Sequence, residues 1–140
     1  MMSRQKLGSW LCVAVLFLVV ACSTGPNSSP GGVVVLAMDA IVHKDIQTLI
    51  KATYGSRADF ANPREIGNEI NKIIEKYSVN LNTKITIGRT FKEDRGQKAD
   101  VYFSLTQNGV KEQFVMKAKK MQREWVAILD SLRKIDKQLW

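Results

Sequence analysis

The run from Leu7 to Cys22, LGSWLCVAVLFLVVAC, constrains this chain most, because it decides where the rest of the chain folds. It contains no charged residue, it follows a short basic start with Arg4 and Lys6, and its apolar character stops at Cys22. A basic start, an apolar centre and small residues before a cleavage point are typical of a secretory signal peptide. The run is also shorter than the roughly 20 apolar residues of a membrane-spanning helix. The sequence therefore predicts export, with residues 1–21 as the signal peptide.

The end of this run resembles a bacterial lipobox at each of its four positions, Val19, Val20, Ala21 and Cys22. The resemblance implies that Cys22 becomes the first residue of the mature protein, carries lipid on its thiol and anchors a lipoprotein in the bacterial cell envelope. Ser23 follows the anchor. In a host with two membranes the resemblance favours the outer one, because an aspartate here is the usual signal for retention. Two alternatives, a plain secretory signal cut near Ala21 and an uncleaved anchor, would leave Cys22 without a role.

Cysteine usage restricts the chemistry of the mature chain. Removal of residues 1–21 leaves 119 of the 140 residues, the size of one domain with a single core. Both cysteines, Cys12 and Cys22, lie in or directly after the removed segment. The mature chain therefore has no disulfide within it, no thiolate metal site and no cysteine nucleophile. We expect no metal and no cofactor, and a fold that depends on its apolar core.

The excess of basic residues lies in the C-terminal half. The chain has 21 basic and 13 acidic residues, a formal net charge of +8. Residues 23–83 hold six of each sign, whereas residues 84–140 hold 13 basic and seven acidic residues. This asymmetry indicates an anionic neighbour, and anionic lipid, cell-wall polymer or an acidic protein suits an exported protein better than nucleic acid does. A surface that only confers solubility is the alternative.

The sequence predicts a tether followed by helices in the N-terminal part of the mature chain. Residues 22–32 join the lipidated cysteine to a stretch of Ser, Thr, Gly, Pro and Asn, which predicts a flexible tether before one domain over 33–140. Apolar residues at helical spacing over 33–54 predict a helix that is kinked and restarted by Asp45 as an N-cap. A capping sequence, Asn62-Pro63-Arg64-Glu65, predicts a second helix. Its apolar stripe consists of Ile66, Ile70, Ile73, Ile74 and Tyr77.

Beyond Ser78 the apolar period changes to two, which is typical of strands with one buried face. Asn108-Gly109 predicts a hairpin turn, and the loops are too short for crossover helices, so the sheet should be antiparallel. The expected strands cover residues 79–91, 99–106, 110–119 and 123–129. The tail over 131–140 has helical spacing and predicts a short final helix. The expected fold class is α+β, with N-terminal helices packed on a four-stranded antiparallel sheet.

This order of elements resembles the cystatin-like cone of the nuclear transport factor 2 superfamily. Within it the chain is similar, over residues 33–129, to bacterial lipoproteins of unknown function whose domain follows a lipobox and a short linker. The likeness depends on the helix restart Asp45–Leu49, the strand Ala99–Phe103 and the hairpin leading to Trp125–Ile128. Relatives usually have a glycine in the turn where this chain has Met121–Glu124. The resemblance implies a space between sheet and helices, and a homodimer through the open sheet.

Few residues are candidates for catalysis. The sequence has no phosphate-binding loop, no dinucleotide fingerprint, no cluster at metal spacing and no hydrolase nucleophile motif. His43, the single histidine, and Asp100 would serve a small cone-fold enzyme if either lay in a cavity, but an exposed turn describes His43 equally well. Tyr102 and Trp125 are candidates to line the cone, or simply to fill it. We therefore expect no catalytic residues.

A basic edge of the predicted sheet is a stronger candidate for a binding site than the preceding residues are for a catalytic site. In the third strand, cations alternate with apolar side chains, so that Lys117 and Lys119 share one face. Lys120 and Arg123 continue this edge. These four residues are the candidate site for an anion or a partner, through phosphate or carboxylate groups, unless they serve solubility alone.

The sequence as a whole predicts a non-catalytic binding or accessory module. The membrane is its partner through the lipid anchor, and the domain binds a protein partner or a small apolar ligand at the cell surface or in the periplasm. One alternative is an exclusion or immunity lipoprotein that binds a transfer or toxin component. The other is the small enzyme with His43 or Asp100 in a cavity.

Overall fold

The computed structural model describes residues 26–136. Over this range three helices precede a four-stranded antiparallel sheet, which confirms the α+β class and the order of its parts. The helices are α1 (Pro30–Val42), α2 (Ile46–Tyr54) and α3 (Pro63–Tyr77), and a 3₁₀ segment, Gly55–Phe60, follows α2. None of the helices between residues 26 and 136 has the length and hydropathy needed to cross a membrane.

Several predictions fall on residues that the structure does not describe. The signal peptide, the lipobox from Val19 to Cys22 and residues 137–140 all lie outside the described range.

Local capping defines the helix starts, as the sequence predicts. Asp45 separates α1 from α2, and its carboxylate accepts hydrogen bonds from the Thr48 backbone N–H at 3.2 Å and the Thr48 hydroxyl at 2.6 Å. The side chain of Asn62 accepts from the Arg64 N–H at 3.0 Å, and Pro63 occupies the first position of α3. Both caps satisfy N–H groups that have no partner within the helix.

The flexible tether predicted for residues 22–32 is wrong over its described part. Pro26–Ser28 form a 3₁₀ turn, and Pro30–Gly32 belong to the first turn of α1. Ser29 caps that turn, because its hydroxyl accepts from the Gly32 N–H at 3.0 Å. The folded domain therefore begins by residue 26 rather than at 33. Composition is misleading here because the residues that cap a helix and start it are the same types that make a linker.

The sheet has the order β1-β2-β3-β4, and each strand is antiparallel to the next. The strands are β1 (Lys84–Glu93), β2 (Lys98–Gln107), β3 (Val110–Met121) and β4 (Glu124–Ile135). Asn108 and Gly109 form the turn between β2 and β3 with φ of 51° and 78°, the left-handed pair that a two-residue hairpin needs. The predicted hairpin is confirmed.

Two predicted strand boundaries are wrong. Leu81 lies in a turn and is 72% exposed, and β1 starts only at Lys84. At the other end β4 continues to Ile135, so the predicted final helix is wrong for residues 131–135. The pairing of β3 with β4 shifts between Val115 and Lys117, which leaves extra residues on β4. This bulge interrupts the alternation of side chains between the two faces of the sheet. The apolar residues of the tail therefore fall at helical spacing although they belong to a strand.

The helices cover one face of the sheet, here called the inner face. On it Phe103 of β2 and Phe114 of β3 are fully buried, with 5.8 Å between their ring centroids. Tyr77 of α3 meets Phe114 edge-on at 5.1 Å. Fully buried partners from the helices are Met38, Ile41, Leu49 and Ile70. The protein's own side chains thus fill the centre of the inner face.

Candidate functional site

An open groove runs between α3 and the edge strand β4, and we call it the edge groove. Its volume is about 630 Å³. Five consecutive residues of β4, Val126 to Asp130, line it, although successive strand residues point to opposite faces. The groove therefore follows the edge of the strand and is not confined to one face. The remaining lining residues are Thr53, Tyr54, Glu65, Ile66, Asn68, Glu69, Lys72, Lys119 and Met121.

The edge groove combines an apolar floor with a charged rim. Ile66 and Ala127 are buried side chains at its base. Charged side chains of both signs line it: Glu65, Glu69, Lys72, Lys119 and Asp130. The one ion pair among them, Lys72 to Glu69 at 3.5 Å, is solvated, so it stabilises α3 little and leaves both groups accessible. Among the described residues β4 pairs only with β3, so the other side of this strand offers backbone N–H and C=O groups to the groove.

The structure separates the four cations that the sequence groups together. Lys117 and Lys119 lie on the outer face of the sheet, where Lys117 is opposite Asp100 of β2. Lys120 and Arg123 instead lie at the end of the β3–β4 hairpin. Of the four, Lys119 alone lines the edge groove. The residues therefore form two surfaces rather than a single anion site.

Tyr102 and Trp125 lie on opposite faces of the sheet and do not share a cavity. Trp125 is 4% exposed and belongs to the core, so it fills the inner side. Tyr102 is on the outer face, where it meets Phe91 edge-on with 5.5 Å between the ring centroids. Trp125 therefore fills the core and does not line a cavity.

The outer face also holds buried oxygens that lack a partner among the described residues. They are Asp100 Oδ1, Ser104 Oγ and Gln113 Oε1. A buried oxygen without a hydrogen bond costs about 1–3 kcal/mol, so a partner that supplies donors would stabilise this face. Phe91, 49% exposed, lies on the same face.

His43 and Asp100 are not brought together. His43 is at the C-terminus of α1 with 57% of its side chain exposed, and its Nδ1 lies 2.9 Å from the Asp39 carbonyl oxygen. It borders an open depression beside Leu81, whose lining residues include no carboxylate. Asp100 lies on the outer face, away from the helices. Between residues 26 and 136, no three His, Cys, Asp or Glu side chains are placed to bind a metal ion.

A second surface, the hairpin end, comprises the β3–β4 turn, the C-terminus of α2 and the Gly55–Phe60 segment. Asn27 joins its parts, since Nδ2 donates to the carbonyl oxygen of Trp125 at 2.9 Å and to that of Lys51 at 3.3 Å. The sequence does not single out Asn27, because this residue lies in the predicted tether. No local pattern reveals these contacts, because the partners are 24 and 98 residues away.

No family model matches the chain, and no curated protein matches it. Among solved structures it is similar to a de novo designed protein with a curved β-sheet, with 13% sequence identity and a TM-score of 0.44. The match covers 72% of this chain and 93% of the designed chain. A similarity at this level bears on neither family nor function.

Proposed function

We propose that this protein is a lipid-anchored lipoprotein of the bacterial cell envelope and that its domain is a non-catalytic binding module. In this proposal the edge groove takes an extended segment of a partner protein. The observation that carries the binding role is the unpaired side of β4 beside an apolar floor. The order of helices and strands also accords with a cystatin-like cone.

The lipobox supports the anchor. Cys22 follows Val19-Val20-Ala21 at the end of an apolar run, and the chain has no cysteine after it. Its thiol is therefore the one site in the mature chain that can carry a thioether-linked acyl group. Ser23 supports an outer-membrane location in a host with two membranes.

The shape of the edge groove favours a polypeptide over a small apolar ligand. A pocket for a small molecule usually buries most of its ligand, whereas this groove is open along a strand and has charges of both signs at its rim. An added strand would form backbone hydrogen bonds with β4 and place alternate side chains on Ile66 and Ala127. The rim charges would then select the partner's sequence.

The anchor is tested by growth with labelled palmitate. We expect the label in the wild-type protein and none in Cys22→Ser, which should also leave the membrane fraction. Equal palmitate labelling of the two proteins would overturn the anchor.

The groove is tested by a photo-crosslinking amino acid at Leu129, inside the groove, and at Val110, an exposed matched position at the far end of β3. A discrete adduct in cells from Leu129 alone is the expected result. Hydrogen exchange of the purified complex should show slower exchange at β4 amides. An adduct of equal yield from Val110, or unchanged β4 exchange, would refute strand addition. An adduct with a transfer or toxin component would identify the exclusion or immunity role.

The outer face supports a second candidate, a homodimer through the sheet. The observation in its favour is that three buried oxygens next to exposed Phe91 have no hydrogen-bond partner within residues 26–136. Sedimentation should show a dimer that Phe91→Lys dissociates, whereas a wild-type monomer at all accessible concentrations would remove this candidate.

A further inference from the structure

We propose that the hairpin end of the domain binds the membrane surface through anionic phospholipid headgroups. This inference rests on the proposed function, because it takes Cys22 as the lipid anchor. It adds that the domain has a fixed orientation on the bilayer, with one end in contact with the headgroups. The side chains that make this contact are Lys51, Arg57, Phe60, Lys120 and Arg123.

The distance from the anchor restricts which end of the domain reaches the membrane. Asn27 is fixed at the hairpin end by its hydrogen bonds to the carbonyl oxygens of Trp125 and Lys51, at 2.9 and 3.3 Å. The five residue steps from Cys22 to Asn27 span at most about 18 Å when fully extended. An anchor at Cys22 is therefore restricted to within about 18 Å of Asn27.

The opposite end of the sheet is beyond that reach. The strand β3 leads from the hairpin end to the Asn108-Gly109 turn over 12 residues. At about 3.3 Å per residue, this strand is close to 40 Å long. A tether of about 18 Å does not let the domain stand on the far turn while Asn27 stays attached, so the hairpin end is the end that is always next to the headgroups.

The charge of the hairpin end suits an anionic surface. Lys51, Arg57 and Arg123 are exposed and Lys120 is half-buried, and none of the four forms an ion pair within residues 26–136. Two carboxylates accompany these four cations: Glu124 accepts from the Ser56 backbone N–H at 2.9 and 3.0 Å, and Asp59 is exposed.

The neighbouring β1–β2 turn does not make the net charge at this end of the sheet negative. It adds three cations and two carboxylates, namely Lys92, Arg95, Lys98, Glu93 and Asp94. Each cation close to an anionic leaflet strengthens membrane binding roughly five-fold, and added salt weakens the effect.

Phe60 is an uncharged side chain that also favours membrane contact, independently of the cations. It is 76% exposed, and the guanidinium of Arg57 lies 5.4 Å from its ring centroid. An aromatic ring beside a cation is typical of residues at the bilayer interface, where the ring enters the headgroup layer and the cation meets phosphate. Leu81 is almost as exposed but lies beyond the C-terminus of α3, so it serves as a matched control.

The test measures orientation, because the anchor alone holds the protein on any bilayer. The mature lipidated protein receives a single new cysteine for a fluorescent probe, either Gln97→Cys or Val110→Cys. Gln97 lies beside the hairpin end, because its carbonyl oxygen accepts from the Lys120 N–H at 2.7 Å, and Val110 starts β3 at the far end. Lipid with a quencher on its headgroup reports contact, in vesicles of phosphatidylcholine alone or mixed with phosphatidylglycerol.

We expect phosphatidylglycerol to increase quenching at position 97 and not at 110. Replacing Lys51, Arg57, Lys120 and Arg123 with Gln should abolish this increase, whereas Lys84→Gln with Lys111→Gln at the far end should retain it. Phe60→Ala should lower quenching at 97 in both vesicles, and Leu81→Ala should not. Equal quenching at 97 with and without phosphatidylglycerol would overturn headgroup binding, because tether length alone predicts that result.

The mass of the purified protein separates this inference from the proposed function. If Cys22 carries no acyl chains, the anchor proposal fails. Co-sedimentation of the unlipidated protein with the same vesicles then decides headgroup binding. Loss of sedimentation in the four-Gln variant would support it, and equal sedimentation of the two proteins would overturn it.

Discussion

Both carboxylate oxygens of Glu124 accept from the backbone N–H of Ser56, at 2.9 and 3.0 Å. Glu124 begins β4 and Ser56 follows α2, so this contact joins the hairpin end to the helical layer. We predict that Glu124→Ala lowers the free energy of unfolding by about 1 kcal/mol, because it removes a charged acceptor. Glu124→Gln should cost less, since its amide oxygen still accepts. Urea unfolding measures both changes.

The control for this contact is Glu93→Ala. Glu93 ends β1 at the neighbouring β1–β2 turn, and its side chain makes no capping hydrogen bond. It should change stability by less than about 0.5 kcal/mol. Equal losses in Glu93→Ala and Glu124→Ala would show that charge, rather than the hydrogen bond, is responsible.

Gly55 adopts a backbone conformation that other residues rarely adopt, with φ of 57° and ψ of −127°. A Cβ at this position would overlap the Glu124 carboxylate. We predict that Gly55→Ala costs about 1–3 kcal/mol from the backbone alone, and more with the overlap. Gly109→Ala is the matched variant, because Gly109 also has positive φ but nothing within 4 Å of an added Cβ.

The overlap is isolated by a double-mutant cycle with Glu124→Ala. Removal of the carboxylate should recover part of the Gly55→Ala loss, and the remainder is the backbone cost. Strict additivity of the two losses would contradict the steric argument.

The N-cap of α2 should make stability depend on acid. The hydroxyl of Thr48, and then its backbone N–H, hold the pKa of the Asp45 carboxyl below its ordinary value of 3.8. A carboxyl with a lowered folded pKa stabilises the fold above the unfolded pKa, and this contribution is lost as pH falls through the folded value. The contribution of Asp45 is therefore complete well above pH 3.8 and is lost below it.

Asp45→Asn separates titration from capping, because Asn accepts the same backbone hydrogen bond but carries no ionisable group. We expect wild type to exceed Asp45→Asn in melting temperature near neutral pH by a margin that shrinks as the solution is acidified below pH 3.8. Asp45→Ala should melt lowest at neutral pH. A margin that stays constant through the acid range would contradict this account.

Phe114 lies at the centre of the inner face between Phe103 and Tyr77, at 5.8 and 5.1 Å between ring centroids. Phe114→Ala should lower the free energy of unfolding by about 3–5 kcal/mol, because it leaves a cavity among rigid neighbours. Phe60→Ala removes the same side chain from an exposed position and should change stability by less than about 0.5 kcal/mol. Comparable losses would show that Phe60 packs against the fold.

The parts of the fold that the sequence predicts correctly depend on neighbours along the chain. Asp45 and Asn62 act through amides two or three residues away, and Asn108-Gly109 sets its own turn. Asn27 is different, because the contacts that order the predicted tether come from residues far along the chain.

The candidate site could be predicted only in part for the same reason. Lys117 to Arg123 are close in sequence, but strand alternation and the hairpin turn divide them between two surfaces. The edge groove needs α3 beside β4, and nothing local to either element specifies that packing.

Ser131 accounts for the bulge that the sequence pattern conceals. Its hydroxyl accepts from the Lys117 backbone N–H at 2.7 Å and donates to the Ile128 carbonyl oxygen at 2.5 Å, in place of the regular ladder. We predict that Ser131→Ala costs about 1 kcal/mol and speeds hydrogen exchange at the Lys117 amide, while Ser131→Thr retains the hydroxyl and its protection. Ser104→Ala is the control, because the Ser104 hydroxyl is buried without a partner in the described part of the chain, so its loss should be neutral or stabilising. Unchanged exchange at Lys117 in Ser131→Ala would show that the bulge forms without this hydroxyl.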